Sequence, residues 1–274
     1  VPAVYGQDRV FVQIKIQGDH SQDFILKQLE DSGFPVIRLV LRDRYDLGGQ
    51  FLLWEQATAI AGWRLGIQPF DQPNVESAKV RAREMVSAYK SSGSLPEQPP
   101  FISQNGISAD ASPMKDPDLH PKTPREALLD FLNHGNAGDY IALQAFIQPT
   151  DASEAALQAL RLMLRDRYKL ATTLGFGPRF LHSTGQLHKG DSGNGLFIQF
   201  TSPGERQIPI PDNPGSQESS IDFGTLKLAQ AMGDRQALMD AGRRLIRFDF
   251  AGDPVEGIEQ LSKAFEFSGA ATER

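Results

Sequence analysis

The chain has 274 residues, 40% hydrophobic and 23% charged, a balance that suits a globular protein with material for about two domains. Lys and Arg total 28 against 34 Asp and Glu, and a net charge of −6 argues against a general nucleic-acid or anionic-membrane surface, leaving room only for a local basic site. The sequence has no cysteine, which excludes disulfide scaffolds, thiolate metal centres, iron–sulfur clusters and a thiol nucleophile; with no long apolar run and no recognisable leader, a cytoplasmic protein is the default expectation.

Residues 9–17 alternate in period two, with Val10, Val12, Ile14 and Ile16 on one face and Phe11, Gln13 and Lys15 on the other, which predicts a strand. A chain that opens at once on a strand reads as a piece of a larger protein. Helix periodicity follows over 21–32, with Gly33 suited to its C-terminal cap, then a second, mostly apolar strand over 35–41. A long helix rich in Ala, Leu and Trp is expected over 50–65, with Trp54 and Trp63 in a core or an interface. Another helix is expected over 73–89, with Pro73 at its favoured first position and Asp71 or Gln72 near the cap. Residues 91–124 carry seven prolines and little periodicity, and read as a linker or surface strap. The expected domains are therefore 1–92, a Pro-rich linker over 93–122, and 123–274.

The second half restarts on a capping box, Thr123 with Glu126, ahead of an apolar helix. Strands are expected over 140–147, 196–201, 207–210 and 244–250, and helices over 152–168, 223–241 and 255–267. Both halves read as α/β. The pentapeptide LRDRY occurs at 41–45 and again at 164–168, the strands 8–16 and 139–147 share Asp, Gln and Ile, and Gln72–Lys79 matches His182–Lys189 in spacing. These matches suggest a duplicated α/β unit. The Arg-Asp-Arg triplets inside the pentapeptides read as local ion pairs before phosphate forks.

Two segments carry candidate chemistry. GIQPFDQPNVESAK, residues 66–79, runs from a helix end through a loop into the next helix, where free backbone N–H groups and the helix dipole favour an anion. Gln72 lies at that helix mouth and Lys79 about two turns in, near Val75 and Glu76, where its ammonium can reach a sugar oxygen or phosphate. The second segment, GFGPRFLHSTGQLHKGDSGNG over 175–195, gathers Arg179, His182, Ser183, Thr184, Gln186, His188 and Lys189 in a glycine-punctuated loop suited to a phosphate or a sugar. It lacks the Walker spacing, and the two histidines lack a third ligand, so neither a metal nor a cofactor is expected. Both lysines are expected at the surface.

GIQPFDQPNVESAK resembles the C-terminal signature of phosphoglucose isomerases, with Gln72, Val75, Glu76 and Lys79 at matching places and Leu53-Trp54-Glu55 matching the helix that leads into it. RDRYKLATTLGFGPRFLHSTGQLHKG, with DYIALQAFI before it and FGTLKLAQAMGDRQAL after it, resembles the C-terminal part of bacterial transaldolase–phosphoglucose isomerase fusion proteins. Together the resemblances span roughly residues 8–250. They imply a sugar-isomerase (SIS)-like sheet-and-helix unit followed by a second α/β domain, acting on glucose 6-phosphate and fructose 6-phosphate without metal. Lys79 then stands at the catalytic lysine and Gln72 at the glutamine that orients the sugar. Arg179, His182, Ser183, Thr184, Gln186, His188 and Lys189 are expected to contact substrate. The Schiff-base lysine of the transaldolase, and the isomerase base, ring-opening histidine and phosphate loop, match no segment here. Their place is in upstream isomerase and transaldolase domains, so the chain alone is expected to be inactive; Glu55 and Glu76 read as helix-surface residues. The expected partners are a sugar phosphate, those upstream domains and a second copy in a homo-oligomer. A non-catalytic sugar-phosphate-binding or assembly module is the rival reading, and a stand-alone α/β enzyme using His182 or His188 as acid–base group a third.

Overall fold

A computed structural model describes residues 2–96, 99–111, 121–204 and 207–265, and the chain divides after Gln72 into two compact units. In the first unit β1 (Phe11–Ile16), α1 (Asp23–Asp31) and β2 (Val36–Leu41) form a parallel βαβ motif, followed by a 3₁₀ turn at Arg44–Asp46 and α2 (Leu47–Leu65). α1 covers the face bearing Phe11 and Val36, where Leu26, Leu29 and Phe34 make a small core. The more aliphatic face is the bare one. Val12, Ile14, Ile16 and Ile37 are all exposed, and so are Phe51, Trp54, Ile60 and Trp63 on α2, so the tryptophans are in no core here. Gly66, at φ 71°, ends α2, and the Ile67 N–H returns to the Gly62 carbonyl at 3.0 Å.

The second unit runs α3 (Pro73–Ser92), β3 (Ile102–Gln104), β4 (Ile107–Ala111), α4 (Pro124–Asn133), β5 (Tyr140–Phe146), α5 (Asp151–Tyr168), β6 (Ala171–Phe176), α6 (Gly185–Gly190), β7 (Gly195–Thr201), β8 (Pro209–Ile210), β9 (Ile221–Asp222), α7 (Phe223–Asp240), β10 (Arg244–Phe250) and α8 (Pro254–Ser262). Six strands form one sheet in the order β3-β4-β10-β7-β5-β6; β10, β7, β5 and β6 are mutually parallel, and β4 and β3 add antiparallel at one edge. The helices start where side-chain acceptors meet their free N–H groups: Thr123 accepts from Glu126, Thr150 from Ser153 and Asp222 from Thr225.

One sheet face is a continuous apolar core. Ile141, Leu143, Ile198, Phe200 and Phe248 meet Leu128 of α4, Leu157 and Leu160 of α5 and Ile258 of α8. The other face lies under α7 and is mixed. Its apolar layer, Ala142, Phe197 and Leu245 with Leu238 of α7, borders a polar row, Gln144, Gln199, Arg247 and Asp110, that runs across four strands in register. Arg247 Nε donates to Asp110 Oδ2 at 2.7 Å, and Arg235 of α7 pairs with the other oxygen at 2.6 Å.

The domain plan read from the sequence needs correction. The break falls at Gln72, because α3 packs along α7 in the second unit. The expected linker supplies β3 and β4, joined by an Asn105-Gly106 turn with both residues at positive φ; Pro113 and Pro117, like residues 266–267 of the expected last helix, lie outside the described residues. The two LRDRY copies occupy unlike places. Leu41 ends β2 and the rest enters a turn in which Arg42 pairs with Asp46, whereas 164–168 is the last turn of α5. Each half does hold a parallel βαβ motif, but the pentapeptide follows the second strand in one and precedes it in the other. It marks no structural repeat.

Candidate functional site

α3, the connection from β6 to β7, and α7 enclose a cleft of about 630 Å³ within the second unit. α3 contributes Lys79, Arg83, Ser87 and Lys90, which share one helical face by their spacing. The connection contributes Pro178, Leu181, His182 and Lys189, and α7 contributes Leu226 and Gln230. Among the described residues that line it, every charged side chain is a cation.

Backbone contacts set the shape. A Cβ on Gly233 of α7 would stand 2.6 Å from the Ala82 nitrogen, so α3 and α7 approach backbone to backbone there. At the other wall, a Cβ on Gly177 would stand 2.4 Å from the Phe146 ring; that glycine lets the chain leave β6 tightly over the Phe146–Phe180 aromatic pair. Here glycine serves packing, where the sequence suggested an anion loop.

The charges on α3 share a carboxylate. Glu76 Oε1 accepts from Arg83 at 2.8 Å and Oε2 faces Lys79 Nζ at 3.4 Å. The Arg83 guanidinium, with Lys79 beside it, holds the Glu76 carboxyl below its ordinary value, which makes Glu76 a weaker proton acceptor than a free carboxylate. Lys90 lies 3.9 Å from Asp212.

The residues singled out from sequence separate into distinct roles. Lys79 and His182 line the cleft with exposed side chains. Lys189 is buried, which corrects the expectation of a surface lysine: its Nζ lies 2.5 Å from Asp234 Oδ1 on α7, and its stem forms part of the cleft wall. Burial pushes the Asp234 carboxyl up and Lys189 opposes that shift. His188 is buried too. The Gln144 amide donates to its Nδ1 at 3.2 Å, and burial, with Lys189 adjacent, lowers its pKa to about 4. A neutral ring locked on Gln144 is structural, which does not suit His188 to the acid–base role expected of it.

Ser183 and Thr184 are not turned to a ligand, since both hydroxyls donate to the Phe180 carbonyl, at 3.2 and 3.0 Å. Gln186 accepts the Asn74 backbone N–H through Oε1 at 2.9 Å. Arg179 is exposed on the 3₁₀ turn Arg179–His182, and Gln72 is exposed at the end of the first unit. Arg83 and Lys90 were missed, although their spacing from Lys79 along one helix was visible; nothing local in the sequence pointed to Asp234. Among the described residues no group of three His, Cys, Asp or Glu side chains gathers to hold a metal ion, and no helix is long and apolar enough to cross a membrane.

No family model matches the chain. Among solved structures it is similar to a hypothetical protein from Thermus thermophilus, at 13% identity and a TM-score of 0.45, over 93% of this chain and 55% of that one. The chain thus spans little more than half the length of that neighbour.

Proposed function

We propose that this chain is the C-terminal portion of a glucose-6-phosphate isomerase carried in a transaldolase fusion, and that the cleft on α3 is its contribution to the sugar-phosphate site. One observation carries the reading. Lys79 and His182, from segments about a hundred residues apart that were each singled out by resemblance, line a single cleft whose charged groups are all cationic. Glu76, Asp212 and Asp234 stand behind the four cations Lys79, Arg83, Lys90 and Lys189, and the remaining excess of one positive charge, in a chain of net charge −6, is what favours a small anionic ligand.

In the proposed reaction a proton leaves C2 of the open-chain sugar phosphate and returns at C1, through an enediol-like intermediate, and the carbonyl moves from C1 to C2. Lys79 stabilises the negative charge that develops on the sugar oxygen. His182, exposed at the cleft, contacts the substrate beside Lys79, while the ring-opening histidine comes from an upstream domain. Among the described residues no carboxylate lines the cleft, so the base comes from an upstream domain and the chain alone turns over no substrate. The bare face of β1 and β2 fits this reading, because parallel sheets are ordinarily covered on both faces. A SIS-type sheet continued by preceding strands and helices is the covering we propose.

In the intact fusion, Lys79→Ala should lower isomerase kcat about a hundredfold, the typical loss on removing one preorganised donor, with transaldolase turnover unchanged. Isomerase turnover unaffected by Lys79→Ala, measured in a coupled dehydrogenase assay, would refute the assignment. The non-catalytic sugar-phosphate module remains the second reading, favoured by the absence of a carboxylate among the described lining residues.

A further inference from the structure

The short helix α6 is held from three sides. Lys189 reaches Asp234 on α7, and Arg243 donates to the carbonyls of Lys189 and Asp191, each at 2.7 Å. The third contact points the other way, to α3, where Gln186 Oε1 accepts the N–H of Asn74 at 2.9 Å. Asn74 is the second residue of α3, and the first N–H groups of a helix have no partner inside it. Here one of them is met by a side chain 112 residues away in sequence. The same first turn carries Glu76, the carboxylate shared by Lys79 and Arg83. The next turn is already fixed by the Ala78 and Ala82 backbone against Gly233. The part of α3 that depends on α6 is therefore the turn that orients the two cations.

The geometry points to Gln186 as a positioning residue of the cleft: it clamps the first turn of α3, and through Glu76 it sets where Lys79 and Arg83 present their charge. The inference rests on the reading of the cleft as an anion site. The clamp also explains Gly190. A Cβ there would stand 2.5 Å from Gln186 Nε2 and 3.2 Å from Asn74 Nδ2, so a side chain at 190 forces the free end of Gln186 to shift from where it meets Asn74.

Three variants and two readouts test it. Gln186→Met removes the acceptor at similar volume, Gly190→Ala crowds it, and Gln186→Glu keeps an acceptor that the helix dipole favours. The readouts are backbone amide exchange at Asn74 and the affinity for inorganic phosphate by titration. Gln186→Met and Gly190→Ala should speed exchange at Asn74 and weaken phosphate binding, each by about three- to tenfold, the equivalent of one net hydrogen bond. Gln186→Glu should restore both. Unchanged exchange in Gln186→Met would overturn the clamp. Faster exchange with unchanged phosphate affinity would overturn its link to the cleft. If the unaltered chain takes up no phosphate, the anion-site reading and the positioning role fall together, and the exchange rates still show whether the clamp exists.

Discussion

His182 and His188 belong to one short segment and have opposite settings. His182 is exposed at the cleft, while His188 is enclosed by Tyr140, Phe180 and Phe197 and accepts from Gln144. The pH dependence of stability separates structure from chemistry here. An unfolded histidine titrates near 6.5, and burial lowers His188 in the fold to about 4. Between those values the unfolded chain binds the extra proton, so stability rises with pH across that window and is flat above it. The stability lost on acidification through the whole window is of the order of 3 kcal/mol. Denaturant midpoints from pH 4 to 8 should show that rise, and His188→Gln should flatten it; an equal slope in the variant would place the titration elsewhere. Lys189 carries a related lesson. Ala there leaves Asp234 buried without its ammonium, at a cost of about 3–5 kcal/mol, so loss of activity in that variant would report folding before chemistry.

At the scale of elements, the seam between α3 and α7 decides whether a cleft exists. Gly233→Val places a branched side chain against the Ala82 backbone, which cannot yield as a flexible side chain would. Overpacking of this kind costs about 1–3 kcal/mol. Thermal unfolding should show the loss, and an unchanged midpoint would mean that the helices do not approach so closely. Much of this architecture was legible. The alternation of β1, the Thr123 cap of α4 and the bounds of β10 all followed from local pattern. β3 and β4 were hidden by the prolines around them, although Asn105-Gly106 between short apolar runs was a hairpin signal in plain view. β6 was overlooked because it is short and runs into the glycines of 175–177. The roles of Ser183, Thr184 and Gln186 were illegible for another reason. A polar side chain at a loop looks the same in sequence whether it faces a ligand, its own backbone or a distant helix.

For the whole molecule, the two units differ in how well their sheets are covered. β5 and β7 are sandwiched between helical layers with almost no exposure, whereas β1 and β2 form a two-stranded parallel sheet with an open aliphatic face. Isolated two-stranded sheets are marginal in water. Amide exchange should therefore be slow in β5, β7 and β10 and fast in β1 and β2; equal protection would contradict the view that the first unit awaits further strands and helices. The central claim, that the cleft receives a phosphorylated sugar, is tested most directly by amide chemical-shift mapping of the chain titrated with glucose 6-phosphate, with glucose as the control. The account predicts saturable shifts at Lys79, Arg83 and His182 with the phosphorylated sugar and none with glucose. Shifts confined to residues away from α3 and the β6–β7 connection, or no shifts at millimolar sugar phosphate, would contradict it.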